Sequence, residues 1–380
     1  MMSQSATGTA VRGVVLDEVA SGPSFTELHL AAPGPNEVEV TIAAAGVCGS
    51  DLHVALGEWN VPRPVVLGHE GAGVVTRVGE NVTSLEEGDH VILTWMPQCG
   101  SCRQCNNSRP WQCEQVVEVI ETKGVLYDGT TRWSRNGSAV HHFAGVSSFA
   151  EKVVVPESGA IRIRRDAPLD AVVLIGCGVA TGVGAVRNTA AVPAGASVAV
   201  IGCGGVGLSC VQGARLAGAG RIVAVDVNPD KLEVAKRLGA TDTVDAGAEG
   251  ADVAELLRDV VPGGLDYVFD AIGRTSTTEA SVAALAIGGT AVVVGLPPEG
   301  TTARFDPLAL SESSRRIIGS HYGSIDPRRD IPALVDLYTE GELDLETLIS
   351  ARRPLSEAVE ALEDLKAGRA LRTVLVNAQP

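Results

Sequence analysis

From residue 197 onward, short uninterrupted apolar runs alternate with stretches of helical length, and this rhythm constrains the fold more than any other feature of the chain. Residues 198–201, 222–225, 267–269 and 291–294 read as strands buried on both faces, and residues 206–216, 231–238 and 278–286 read as helices between them. Strands covered on both faces and joined through helices form a parallel sheet. Gly202-Cys203-Gly204-Gly205-Val206-Gly207 joins the first strand to the first helix, and Asp226 closes the next strand 19 residues after Gly207. Such a G-x-G-x-x-G turn lets a pyrophosphate reach the backbone at Gly204, while the helix N-terminus offers unpaired N–H groups and partial positive charge. A carboxylate at Asp226 accepts hydrogen bonds from a ribose 2′-OH and repels a 2′-phosphate, which favours NAD over NADP. The plainer alternative is an aspartate that caps a loop.

The first ~175 residues have a different texture. Alternating apolar runs at 37–43 and 73–78, broken by Gly, Asn and Pro, predict the short strands of a barrel-like domain. A chain of 380 residues exceeds one hydrophobic core. The expected division is 1–178, 179–321 and a tail, 322–380, that returns to the first domain with helices at 331–340 and 355–367 and a strand at 372–376. Residues 171–186 form an uncharged, largely apolar run; at 16 residues it is too short to span a membrane and is expected to be one packed helix. With 30 basic against 46 acidic residues, the net charge of −16 disfavours nucleic acid and anionic membrane partners. Residues 1–9 lack a basic segment followed by an apolar one, so a cytoplasmic location is expected.

In a reducing compartment, the spacing of the cysteines points to metal rather than to disulfides. Cys99, Cys102, Cys105 and Cys113 form C-x2-C-x2-C-x7-C, and four thiolates saturate a tetrahedral zinc. A redox dithiol is the competing reading. Cys48, His69 and Cys177 are dispersed and leave a fourth position open. A zinc so held polarises an alcohol or aldehyde oxygen and lowers the pKa of a bound hydroxyl, to ~7 for water, which is the step hydride removal needs. Taken singly, each of these three residues reads more readily as a core side chain than as a ligand. Together, with Ser50 and His53 beside Cys48 and Glu70 beside His69, they read as metal chemistry. Cys203 and Cys210 sit in apolar surroundings, where a free thiol packs as a small hydrophobe.

Gly68-His69-Glu70-Gly71-Ala72-Gly73, the four-cysteine loop, Asp128-Gly129-Thr130-Thr131-Arg132, the 202–207 turn and Leu371-Arg372-Thr373-Val374 resemble the zinc-dependent medium-chain alcohol dehydrogenases over nearly the whole chain. The resemblance implies an α/β protein: a GroES-like β-rich catalytic domain with a structural zinc loop at 99–113, plus a Rossmann coenzyme domain with a doubly wound parallel sheet. It implies two zinc ions per subunit, a catalytic one on Cys48, His69 and Cys177 and a structural one on the four clustered cysteines. Asp51 would orient His69, and Glu70 would lie behind the metal. Ser50 would take the substrate hydroxyl proton and pass it through the cofactor ribose to His53, which otherwise reads as a surface histidine. NAD would be held by Gly202, Gly204, Gly205, Val206, Gly207 and Asp226, with Lys231 on the adenosine ribose and Arg372 on the pyrophosphate. Thr181 and Val206 would press on the nicotinamide, and Ile272 and Leu296 would also contact the cofactor. Gly49 departs from the pattern, since many relatives place there a basic residue that contacts the pyrophosphate.

By the same resemblance, Trp59, Trp95, Phe143 and His321 line the substrate pocket, and two tryptophans favour a primary alcohol or aldehyde. Glutathione-dependent relatives carry a basic residue soon after the fourth cysteine; here Glu114-Gln115-Val116-Val117-Glu118 follows Cys113. His321-Tyr322-Gly323 and Asp336-Leu337-Tyr338 resemble the mycothiol-dependent formaldehyde dehydrogenases, which stand as the second reading. A non-catalytic NAD-binding structural or sensor protein is the third. Residues 123–152 resemble an insertion of dimeric relatives, so a homodimer joined through the nucleotide-domain sheets is expected.

Overall fold

The computed structural model describes residues 8–298 and 300–377. Two compact units share them. The first runs up to Cys177 and includes Asp326–Gly341 and the chain from Ile349 on; the second comprises Gly178–Ile325 and Glu342–Leu348.

In the first unit, the strands Thr9–Leu16, Pro23–Leu30, Trp133–Arg135, Ser138–His142 and Val65–Val66 close into a small barrel. Residues 123–152 thus supply two barrel strands, and Trp133 is fully buried. The Asp128-to-Arg132 motif fastens this segment: Arg132 donates to both carboxylate oxygens of Glu37 at 2.7 Å and also to Asp128. A seven-stranded sheet is built around Glu37–Val47, which pairs with Glu70–Val78, Lys152–Pro156 and Thr373–Val376. The C-terminal strand therefore enters the N-terminal sheet, with Thr373 opposite Val47 and Val374 opposite Gly46.

In the second unit all six strands are parallel: β1 (Ser197–Ile201), β2 (Arg221–Asp226), β3 (Asp242–Asp245), β4 (Leu265–Asp270), β5 (Leu285–Val293) and β6 (Arg316–Gly319), in the order β3-β2-β1-β4-β5-β6. The four interior strands are the apolar runs read from the sequence. β3 and β6 are the edges, exposed on one side, and their polar residues gave no apolar run to detect. The helices Val253–Val260 and Pro307–Glu312 were also missed; each begins on an aspartate, Asp252 or Asp306, that accepts two backbone N–H groups.

One expectation is corrected. Residues 171–186 do not form one helix: Leu169–Val172 and the turn Val173–Gly176 stop at Cys177, whose φ of −142° and ψ of −80° are not helical, and a new helix starts at Gly178. The break takes the Cys177 side chain out of helical register and into the cluster described below. No single helix among the described residues is long and apolar enough to cross a membrane.

Candidate active site

Cys48 stands directly before the helix Gly49–Ala55, His69 directly before the strand Glu70–Val78, and Cys177 at the helix break. Their ligand atoms, with a Glu70 oxygen, all lie within 4.8 Å of one another, and all four residues are buried. Asp51, fully buried, accepts the Cys48 N–H on Oδ2 at 3.0 Å and His69 Nδ1–H on Oδ1 at 3.0 Å. Because a carboxylate only accepts, Nδ1 carries the hydrogen, and in the neutral ring Nε2 keeps the lone pair. That Nε2 is buried without a hydrogen-bond partner. The Cys48 thiol is held well below its ordinary range, chiefly by the hydrogen bond from Cys177, and Cys177 is raised well above it, chiefly by Cys48. Two sulfurs and an imidazole nitrogen thus converge in one buried cluster, and this donor set fits zinc.

Glu70 is pushed up to about 7 by burial, against the opposing pull of Arg372. Arg372 donates to Glu70 Oε2. Gly46 makes this possible: a Cβ there would fall 1.9 Å from Glu70 Oε2 and 3.1 Å from Arg372 Nη2. The register places Gly46 between Glu70 and Val374, so strand pairing brings the two charged residues together across 302 positions of sequence.

The sulfurs of Cys99, Cys102, Cys105 and Cys113 also lie within 4.8 Å of one another. Backbone N–H groups aim at them: Cys99 to Cys113 and Cys102 to Cys99 at 3.3 Å, and Cys105 to Cys102 at 3.5 Å. Burial raises the Cys102 thiol, but the N–H groups of Cys105 and Glu114 and the neighbouring thiols outweigh it and bring it down to about 6. Four sulfurs surrounded by N–H donors suit a closed tetrahedral metal. Cys203 and Cys210 are fully buried elsewhere, and each is raised to about 12, chiefly by burial.

In the second unit, Gly202 turns with φ +96° at the end of β1. A Cβ on Gly207 would fall 1.7 Å from the Gly202 oxygen, so the helix Gly205–Leu216 sits against the turn only because Gly207 is bare. A Cβ on Gly204 would meet nothing within 4 Å, which leaves room for a ligand at the helix N-terminus. Asp226 accepts the N–H of Cys203 at 2.7 Å and of Asn228 at 2.9 Å, so its carboxylate stands beside the turn.

Residues 34–165 match the alcohol dehydrogenase GroES-like domain family, and residues 205–340 match the zinc-binding dehydrogenase family. The chain belongs to the zinc-dependent medium-chain alcohol dehydrogenases. This dehydrogenase is similar to an alcohol dehydrogenase zinc-binding domain protein from Burkholderia ambifaria, at 37% identity over 98% of this chain and 100% of that one, TM-score 0.93. It is also similar to the benzyl alcohol dehydrogenase of Acinetobacter calcoaceticus, at 33% identity over 97% and 100%, TM-score 0.92. A zinc-binding dehydrogenase from Sinorhizobium meliloti bound to NADP shares 28% identity over 97% and 99%, TM-score 0.79.

The remaining candidates of the dehydrogenase divide between its units. In the first, Phe143 meets the His69 ring edge-on at 5.5 Å and 78°, while Trp59 stacks on His53 and Trp95 packs against the same core. Ser50 lies in the first turn of the helix Gly49–Ala55. In the second, Thr181 is half-buried in the helix Gly178–Gly184, Val206 and Lys231 are half-buried, and Ile272 and Leu296 are exposed. His321 belongs to the second unit, and Arg372 lies in the first, buried against Glu70. Sequence reasoning missed Gly46 and also Ser148, whose hydroxyl donates to the Glu70 carbonyl at 2.6 Å. Neither carries a local signal, because both act through strands distant in sequence.

Proposed function

We propose that this dehydrogenase transfers a hydride between a primary alcohol or aldehyde and NAD. The observation that carries the proposal is the buried Cys48–His69–Cys177 set, with Asp51 holding His69 Nδ1 and Nε2 left without a hydrogen-bond partner. When bound, zinc supplies a Lewis acid to the substrate oxygen, and NAD supplies the hydride acceptor. Ser50 would accept the hydroxyl proton and His53 would hand it on to solvent; in aldehyde reduction the same two residues would act in the opposite direction. Cys99, Cys102, Cys105 and Cys113 hold a second, structural zinc. Phe143 against the His69 ring supplies an apolar wall suited to the carbon chain or ring of an alcohol. The likeness to a benzyl alcohol dehydrogenase supports a primary alcohol that carries an apolar group.

Asp226 supports NAD: its carboxylate lies beside the glycine turn, and a cofactor 2′-phosphate held near it would meet like charge. Asp226→Ser is expected to shift the ratio of kcat/KM for NAD over NADP towards NADP by at least tenfold; an unchanged ratio overturns the assignment. The substrate assignment is tested by NADH absorbance with zinc-replete protein and a panel of primary alcohols and aldehydes, with and without added thiol. Turnover without thiol supports it, turnover only with a thiol supports the mycothiol-type reading, and no turnover on any substrate supports a binding role. A homodimer and a reducing, cytoplasmic setting complete the proposal.

A further inference from the structure

The loop after the helix Gly49–Ala55 folds back on that helix in a way that metal binding does not explain. Gly57 turns with φ +73°, and a Cβ there would stand 2.9 Å from Val19 Cγ2, so conformation and packing both require glycine. The turn returns the chain so that the N–H groups of Glu58 and Trp59 both donate to the His53 carbonyl, at 2.9 and 3.4 Å. Their side chains then bracket the imidazole. Glu58 Oε2 accepts from His53 Nδ1, and the Trp59 ring stacks on the His53 ring with centroids 4.9 Å apart and planes 20° apart. Trp59 is itself packed against the first unit's core, so the imidazole plane rests on a fixed neighbour.

We propose that Glu58 is a positioning residue for proton exit: it holds His53 as the Nδ1–H tautomer, so that Nε2 presents the lone pair that takes the relayed proton. A carboxylate offers only lone pairs, so the ring nitrogen facing it must carry the hydrogen. An unconstrained neutral histidine prefers the opposite tautomer, with the hydrogen on Nε2, and would present its lone pair on the Glu58 side. During alcohol oxidation Nε2 accepts the proton that left the substrate hydroxyl, and the ring becomes an imidazolium whose Nδ1–H stays on Glu58. Nε2 then gives its proton to solvent and the starting tautomer returns. The inference rests on the Ser50–His53 relay proposed above. The Glu58 side chain is 42% exposed, and competition from water makes its effect a few-fold one.

The test is the imidazole region of long-range 1H–15N spectra of the zinc-replete protein at pH 8.5, with His53 assigned among the seven histidines by the spectrum of His53→Gln. The wild-type protein is expected to show His53 with the hydrogen on Nδ1, and Glu58→Ala to move it to Nε2. Glu58→Gln, whose side-chain oxygen accepts the same bond, should keep the hydrogen on Nδ1. With a primary alcohol as substrate, kcat should fall roughly 3- to 10-fold in Glu58→Ala with little change in KM, and stay within about 2-fold in Glu58→Gln. An Nε2–H tautomer in the wild type, an unchanged tautomer in Glu58→Ala, or a tautomer change without loss of kcat each overturns the proposal. Absence of all alcohol turnover in the wild type overturns the dehydrogenase reading instead, and the tautomer result then decides whether Glu58 sets the His53 ring.

Discussion

Asp51 accepts hydrogen bonds from two residues of the metal cluster, the Cys48 backbone and the His69 ring, and makes both with one fully buried carboxylate. Removing it frees the His69 ring to rotate and to change tautomer, without taking away any of the three proposed ligands. Asp51→Ala is therefore expected to weaken zinc at that site by about 10- to 100-fold, which competition with a chromophoric chelator measures, while the four-cysteine site keeps its ion. Equal retention of both ions in the variant would remove the orienting role. At this scale the ligand types were legible, because Cys48, Asp51 and His69 sit in short motifs. The contact between Glu70 and Arg372 was not legible, because only the pairing of their strands through Gly46 creates it.

The strand Ser138–His142 places His142 inside the barrel wall, 2% exposed, where its Nε2 accepts the Arg132 N–H at 3.2 Å. Burial, together with the Arg132 charge, pushes His142 down to about 3. The unfolded chain binds this proton near the ordinary value of 6.5, and the folded barrel resists it until about 3. The stability that a neutral His142 contributes is present above pH 6.5 and is lost as the pH falls towards 3, at about 1.4 kcal/mol per pH unit. Urea unfolding of the wild type and His142→Gln between pH 7 and pH 4.5 checks this: the wild type should lose more stability than the variant, and equal losses would show that His142 protonates freely in the folded state. Interior elements were legible because burial leaves an apolar run. The edge strands β3 and β6, and the helix broken at Cys177, were not; their courses are set by exposure and by the needs of the site.

Across the whole molecule, the proposed metal ligands all belong to one unit and the glycine turn with Asp226 to the other, and Cys177 ends the first unit's N-terminal segment. The proposed homodimer predicts a solution mass twice that of the chain by light scattering; a monomer or a tetramer would contradict it. The sequence by itself determined the chemistry available: sulfur and imidazole donors at metal spacing, a glycine turn between strand and helix, and an acid at the end of the next strand. These are properties of residue type and short spacing, which steric and coordination rules make readable without a structure. Tertiary structure alone decided that Gly46 leaves room for Arg372 against Glu70, that a polar segment at 123–152 closes the barrel, and that Glu58 returns to His53. Each depends on register or on a turn that brings together side chains with no shared local pattern.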